Sequence, residues 1–166
     1  MMNPPYEGAT AEQLQSPMVR ELLSVHNMFR NQLQGIVDYI DDLLSGEQRL
    51  DAPETRLRIQ ALIRAGSQYT QMLHGHHHGE TDMLFPLLKK EGLEDAIVDK
   101  LNADHDVLGT LIDQFNEGIH NLAAVDPTVM NHDLRRLSDA LREHLDYEET
   151  HICPLMARWS QWPAMH

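Results

Sequence analysis

The sequence of 166 residues predicts an all-α protein folded as an up-down-up-down antiparallel four-helix bundle. Apolar residues recur every three or four positions through four long stretches, which is the pattern of helices that pack along one seam. Short links join these stretches, so consecutive helices are expected to run antiparallel. The apolar–polar alternation typical of strands does not occur in the sequence.

Two helices are predicted in the first half of the chain. The first runs roughly from Pro17 to Ser45, and His26 falls in step with its apolar stripe. A short polar link follows, and Pro53 opens the second helix as a first-turn proline. Gly92 ends this second helix. Its inward face is predicted to comprise Leu62, Tyr69, Leu73, His76, Glu80, Met83 and Leu87.

Two further helices are predicted in the second half. Asp126 and Pro127 mark the start of the last one, as N-cap and first-turn residue. The inward face of the third helix is predicted to comprise Ile97, Leu101, His105, Leu108, Ile112, Phe115 and Ile119. That of the fourth comprises Met130, Leu134, Leu137, Leu141, His144, Glu148, Ile152 and Leu155. Residues 17–156 are therefore assigned to the bundle, and residues 1–16 and 157–166 to terminal tails.

Composition narrows the expected partners and compartment. The 13 basic and 26 acidic residues leave a formal charge of −13, so no basic surplus exists to bind nucleic acid or anionic lipid. One cysteine excludes an internal disulfide and is compatible with a cytoplasmic protein. No apolar run approaches the roughly 18 residues of a membrane span, and the first residues do not form a signal peptide. Trp159 and Trp162 are expected either to cap the bundle or to form a homodimer contact.

A repeated motif points to metal binding. The segments His76–Pro86 and His144–Pro154 both read His-x-x-x-Glu-x-x-x-x-x-Pro, with an offset of 68 residues. On a helix, positions i and i+4 share one face with Cβ atoms about 5–6 Å apart. A neutral imidazole and a carboxylate so placed can bind one metal ion from the same side, and two such pairs suggest two ions. The prolines are expected to end or kink their helices just past these ligands.

Polar residues interrupt all four apolar stripes. A lone histidine on an apolar face is more often a hydrogen-bonded core residue than a ligand, but a charged glutamate in a core is costly unless it is paired or metal-bound. Mutual hydrogen bonding of the whole set is the alternative to metal binding. The predicted metal ligands are His26, His76, Glu80, His105, His144 and Glu148.

The ordered pattern H, HxxxE, H, HxxxE on four successive helices resembles that of hemerythrin-like, or HHE cation-binding, proteins. The resemblance covers roughly residues 17–156 and includes the sequence Leu84-Phe85-Pro86. It implies a non-heme centre of two iron ions that carboxylates can bridge. Two carboxylates do not balance two ferric ions, so an oxo or hydroxo bridge is also expected. Members of this family bind dioxygen reversibly, process nitric oxide or peroxide, or sense iron and oxygen.

One departure from the oxygen-carrying hemerythrins concerns the third helix. Those proteins place a second histidine one turn from the first, whereas the positions one turn either side of His105 are Leu101 and Gly109. The place for a fifth histidine ligand is empty on this helix, which argues against simple oxygen storage.

Four further residues are candidates for additional ligands or for contacts behind the ligands. Tyr69 lies two turns before His76 and could supply a phenolate, although packing with a hydrogen-bonded hydroxyl is the more frequent outcome. His77 is rotated by about 100° from His76 on a helix. It is expected to be exposed or beside the centre, with ligation as the alternative.

His151 follows Glu148 by three residues and is expected behind the ligands or at the surface. Asp106, like Asp104, is a candidate to orient His105 from behind.

Three functions remain open from the sequence. The first is a di-iron protein that reacts with peroxide or nitric oxide, with or without a separate redox partner. The second is a non-catalytic carrier or sensor of oxygen, nitric oxide or iron. The third is ferritin-like iron oxidation and storage, which uses Glu-x-x-His motifs. Such motifs occur at Glu148–His151 and Glu117–His120, but Glu117 is off the seam, so storage ranks last.

Overall fold

A computed structural model describes residues 9–45, 52–122, 124 and 126–163 of the chain. All regular structure within these ranges is helical, which confirms the all-α prediction. The elements are a 3-10 turn (Gln13–Gln15), α1 (Pro17–Ser45), α2 (Pro53–Gly79), a π-helical segment (Glu80–Leu84), α3 (Phe85–Lys90), α4 (Asp95–His120) and α5 (Pro127–Met156). Residues 1–8 of the predicted N-terminal tail, the predicted link at 46–51 and His166 lie outside the described residues.

The helices form the predicted antiparallel four-helix bundle, in which α2, the π segment and α3 follow one another as a single arm. Helix α1 packs against α2 and α5, and α4 packs against the same two helices. Contacts between α1 and α5 run in opposite sequence order, since Arg30 pairs with Asp146 and Gln34 with Arg142. The other neighbouring helices are joined by short connections and follow the same up-down course.

Helix termini follow the local signals in the sequence. The Asp126 carboxylate accepts a hydrogen bond from the Thr128 N–H at 2.8 Å, which confirms the predicted N-cap of α5. Gly92 adopts a φ of 105°, a backbone conformation that favours glycine, and α3 ends just before it. The N–H of Leu93 then donates to the Leu88 carbonyl at 2.9 Å and closes the helix end.

The π segment corrects the predicted inward face of the second helical arm. The N–H of Phe85 donates to the Glu80 carbonyl five residues back, so the segment holds one residue more than an α-helical turn. Inward positions beyond Glu80 are therefore shifted, and Met83, predicted to face the core, is 48% exposed. Pro86 has no backbone N–H to donate, but it follows the wider turn of the π segment, which tolerates this loss. The helix therefore continues through Pro86.

The apolar core is divided by a polar layer. One cluster includes Phe29, Leu33, Leu73, Leu108, Ile112 and Leu141. The other includes Leu22, Leu23, Phe85, Leu101, Ile152 and Met156. On each of the four arms of the bundle, the polar residues of the inward face lie between members of the two clusters. The polar layer comprises His26, His76, His77, Glu80, His105, His144 and Glu148.

The two tryptophans near the C-terminus have different environments. Trp159 is buried in the second cluster, so it caps that end of the bundle. Trp162 is 44% exposed and donates its indole N–H to Glu21 at 3.0 Å. Among the described residues, none of the helices has both the length and the apolar character needed to span a bilayer.

Candidate metal centre

The polar layer contains two groups of donor atoms. The atoms within each group lie within 4.8 Å of one another. The α1-side group comprises His26, His76, Glu80 and Glu148. The α4-side group comprises His77, Glu80, His105 and His144. The structure thus brings together all six residues proposed from the sequence, adds His77, and gives Glu80 to both groups.

The two glutamates face histidines of both groups. The carboxylate of Glu148 lies with Oε1 3.4 Å from His26 Nε2 and with Oε2 3.1 Å from His144 Nε2. The Oε1 atom of Glu80 is 3.3 Å from His76 Nε2 and 3.4 Å from His105 Nε2. Each carboxylate is therefore in a position to contact an ion in either group.

Most of these donor atoms are buried and unsatisfied. In the described part of the chain, no well-aligned hydrogen bond satisfies either carboxylate oxygen of Glu80 or Glu148, or the Nε2 atoms of His77, His105 and His144. Leaving a buried polar group unpaired costs roughly 1–3 kcal/mol, and more when the group is charged. A bound cation would satisfy donors of this kind, and seven of them lie in one layer. The donor types, imidazole and carboxylate, fit iron and zinc among other metals.

Three histidines are held in the neutral form that binds metal. Burial lowers the pKa of His76 and of His105 to about 4. The pKa of His77 falls to about 2 because burial and the neighbouring His105 both disfavour its cation. These rings therefore offer a lone pair near neutral pH.

The charges of His26 and the two glutamates are coupled. Burial disfavours the His26 cation, but the carboxylates of Glu148 and Glu149 outweigh it and raise the pKa of His26 to about 9. Burial and the negative charge of Glu148 raise the pKa of Glu80 well above its usual range. A cation placed between the two carboxylates would relieve this repulsion, as would the proton that Glu80 otherwise retains.

A charged pair lies behind His26. The Nδ1–H of His26 donates to Glu149 Oε1 at 2.9 Å, which leaves Nε2 directed at the α1-side group. Arg30 donates two hydrogen bonds to the Glu149 carboxylate, at 2.7 and 3.0 Å. Such a carboxylate fixes the tautomer and orientation of the ring and raises its basicity.

The α4-side histidines have different partners. His105 Nδ1 lies 2.9 Å from Thr81 Oγ1, and the Thr81 hydroxyl donates to Asn102 Oδ1 at 3.1 Å. His144 Nδ1 lies 3.3 Å from Asp104 Oδ2. The ammonium of Lys100 is 3.0 Å from the same carboxylate oxygen.

The structure gives His105 a hydrogen-bond partner other than the two aspartates suggested from the sequence. Thr81 contacts that ring, whereas Asp104 contacts His144 and Asp106 is exposed and outside both groups. Asp106 follows His105 directly, so it is rotated by about 100° toward solvent on the helix.

Two further candidates are placed outside the donor groups. The Tyr69 hydroxyl donates to the Phe29 carbonyl at 3.1 Å within the apolar core, and burial raises its pKa. The structure therefore favours the packing alternative over a phenolate ligand. His151 packs its ring against Tyr147, with 4.3 Å between centroids.

His77 is the donor that sequence periodicity did not select. Its side chain is buried, and its ring stacks on His105 with 4.1 Å between centroids. Helix α2 lies at a corner of the bundle between α1 and α4. Consecutive residues can therefore both face inward, with His76 toward His26 and His77 toward His105. The second helix thus brings a fifth histidine into the polar layer.

A helical bundle with two buried histidine–carboxylate groups that share a glutamate has the architecture of a metal-binding helical protein. Residues 17–156 match the hemerythrin HHE cation binding domain, and the chain belongs to this family. The resemblance inferred from the ordered motif is therefore confirmed. Comparisons with curated proteins and with solved structures gave no match.

Proposed function

We propose that the polar layer holds two iron ions, one in each donor group, and that the protein binds or reacts with dioxygen, peroxide or nitric oxide in the cytoplasm. The observation that supports this proposal is the sharing of Glu80 by two groups of buried donors. When bound, the two ions would supply reversible redox change and open coordination positions. The donor set also suits zinc, so metal content is the deciding measurement.

The residues of the chain would have separate roles in such a centre. Five histidines and two carboxylates would hold the ions, with His26 fixed from behind by Glu149. The apolar clusters on either side of the polar layer would exclude bulk water and strengthen every electrostatic interaction within it.

Binding without turnover is the second candidate, and one feature favours it. The side chains behind the histidines are already engaged: Glu149 with Arg30, Thr81 with Asn102, and Asp104 with Lys100. A proton donor for peroxide breakdown would have to come from elsewhere. A carrier or sensor needs no such donor. Ferritin-like storage is not retained, because Glu117 is exposed and outside both donor groups.

Elemental analysis of freshly purified protein from iron-supplied cells tests the proposal. We expect about two irons per chain, and zinc or no metal would overturn the di-iron assignment. Peroxide consumption by the iron-loaded protein then separates the two candidates. If the protein turns over peroxide, its rate of peroxide consumption should exceed that of free iron, and this excess should disappear in His144→Ala. A rate equal to that of free iron would favour binding alone.

A further inference from the structure

An apolar cleft leads from the surface to the polar layer. It has a volume of about 530 Å³ and lies between α1 and the arm formed by α2, the π segment and α3. Apolar side chains, among them Leu22, Leu84 and Leu87, form most of its wall. Two donor residues, His76 and Glu80, form its inner end. The cleft therefore connects solvent to the α1-side group through an apolar passage.

The inner end of the cleft presents unsatisfied donors. No well-aligned hydrogen bond satisfies either carboxylate oxygen of Glu80, although only 3% of its side chain is exposed. His76 is 16% exposed, whereas the other donor histidines are 7% exposed or less. A ligand in this cleft would thus meet the most accessible histidine of the centre.

The cleft is larger than a diatomic ligand requires. A molecule of about the size of water has a volume of roughly 30 Å³. Volumes of about 300–1,000 Å³ are typical of sites for organic ligands. At about 530 Å³, this cleft belongs to the second class.

Two glycines keep the wall of the cleft open. Gly75 and Gly79 lie one helical turn apart and both line it. A Cβ atom at either position would meet no heavy atom within 4 Å, so helix packing does not require glycine there. Each glycine costs the helix about 1 kcal/mol relative to alanine. The space in front of them is therefore available to a ligand.

A second cleft on the α4 side has the opposite character. It is lined by His74, His78, Asp106 and Asp113 and reaches the α4-side group at His77. Its polar and acidic wall suits water and cations. An apolar molecule would therefore be expected to enter by the α1-side cleft instead.

We propose that the α1-side cleft binds a neutral aliphatic molecule with one oxygen-containing end, of which an alkyl hydroperoxide is the form suited to peroxide chemistry. The oxygen end lies at His76 and Glu80, and the chain lies along Leu84 and Leu87. The carboxylate of Glu21, which lines the cleft beside Trp162, disfavours an anionic ligand. The proposal rests on the proposed function, because the bound metal would take the oxygen end.

Trp162 provides a direct readout of occupancy. It lines the cleft and donates to Glu21 at 3.0 Å. The full chain as purified is titrated with 1-octanol while tryptophan fluorescence is recorded. We expect a saturable change that is absent in Trp162→Phe. Octanoate, which has the same chain length and a negative charge, is expected to bind at least tenfold more weakly.

Filling the cleft provides the matched comparison. Gly75→Leu and Gly79→Leu each place a side chain in the open space and are expected to weaken octanol binding at least tenfold. Gly35→Leu is the control, because Gly35 also has open space at its Cβ position but lines a different cleft. Circular dichroism checks that each variant is folded.

The outcomes separate this proposal from the di-iron proposal. A change that does not saturate, or one weakened by Gly35→Leu and not by the cleft variants, would overturn the ligand assignment even if two irons are present. Octanol binding that follows the expected pattern in a protein without iron would support the cleft and reject the di-iron centre.

Discussion

The α1-side and α4-side groups share Glu80, but their histidines are held in different ways. Behind His26 lies a buried carboxylate, Glu149, which is itself held by Arg30. Behind His105 lies the neutral hydroxyl of Thr81. The pKa of His26 is raised to about 9, whereas that of His105 is lowered to about 4, where burial is the largest cause. A charged partner therefore orients His26 of the α1-side group, whereas a neutral hydroxyl contacts His105 of the α4-side group, in which His144 faces Asp104.

The routes from solvent to the two groups also differ in polarity. The α1-side group is reached through an apolar cleft at His76, and the α4-side group through a polar cleft at His77 and His105. A shared carboxylate thus connects two donor groups with unlike surroundings. We expect the two groups to differ in metal affinity and in the ligands they admit.

Removing the shared residue should have the largest effect. Glu80→Ala deletes the one donor common to both groups, so metal content is expected to fall from about two ions per chain to nearly none. Glu117→Ala, which removes an exposed glutamate from α4, is the control and should retain both ions. Retention of one tightly bound ion in Glu80→Ala would show that the groups act independently.

Removing a donor of one group should affect one ion. His77→Ala is expected to lower metal content to about one ion per chain, because it breaks the α4-side group and leaves the α1-side donors in place. The adjacent exposed residue gives the control, His78→Ala. If His77→Ala still binds two ions, His77 is a packing residue and not a ligand.

The pKa of His26 is raised, whereas the pKa values of His76 and His105 are lowered. This contrast should appear in how the free energy of unfolding of the metal-free protein depends on pH. The folded pKa of His26, about 9, lies above the unfolded value of 6.5, so its contribution is complete below pH 6.5 and is lost as pH rises through 9. A shift of this size corresponds to about 3 kcal/mol. His76 and His105 have lowered pKa values, so their contributions are lost in the opposite direction, as pH falls below 6.5.

Urea unfolding in the presence of a chelator, between pH 6.5 and 9, measures this contribution. The wild-type protein should lose stability across that range, and His26→Gln should lose clearly less. Glu80, whose pKa is also raised, contributes with the same sign and remains in the variant. Parallel curves for the two proteins would contradict the assigned pKa of His26.

Periodicity and spacing were sufficient to predict the bundle and to select the six residues of the repeated motif and its partners. They select one face per helix, and this is why His77 was not preferred. A helix at a corner of a bundle contacts two neighbours, so two inward faces about 100° apart exist on it. Two features of the sequence pointed to His77. It stands next to His76 in the motif that ends at Glu80, and the third helix lacks the second histidine that oxygen-carrying hemerythrins place there.

Other features depend on tertiary contacts that no local pattern encodes. Thr81 follows Glu80 directly and lies one turn after His77, on the side of the arm that faces His105 of α4. Glu149 follows Glu148 and would read as a surface residue, yet it is buried because Arg30 of another helix neutralises it. Proline in the repeat indicated an irregularity near residue 86, but it did not indicate a π segment.

The smallest expected effects concern the residues behind the histidines. Loss of such a partner typically lowers metal affinity by about 10–100-fold. Glu149→Gln should lie at the upper end of this range, because it removes a buried charge that raises the basicity of His26. Thr81→Val should lie at or below the lower end, because only a neutral hydrogen bond to His105 is lost.

Iron retention against a competing chelator measures both variants, with Thr150→Val on the exposed face of α5 as the control. Equal losses in Glu149→Gln and Thr81→Val would mean that the charge behind His26 does not distinguish the two groups. A larger loss for Glu149→Gln, confined to one of the two ions, would assign that ion to the α1-side group, whose His26 contacts Glu149.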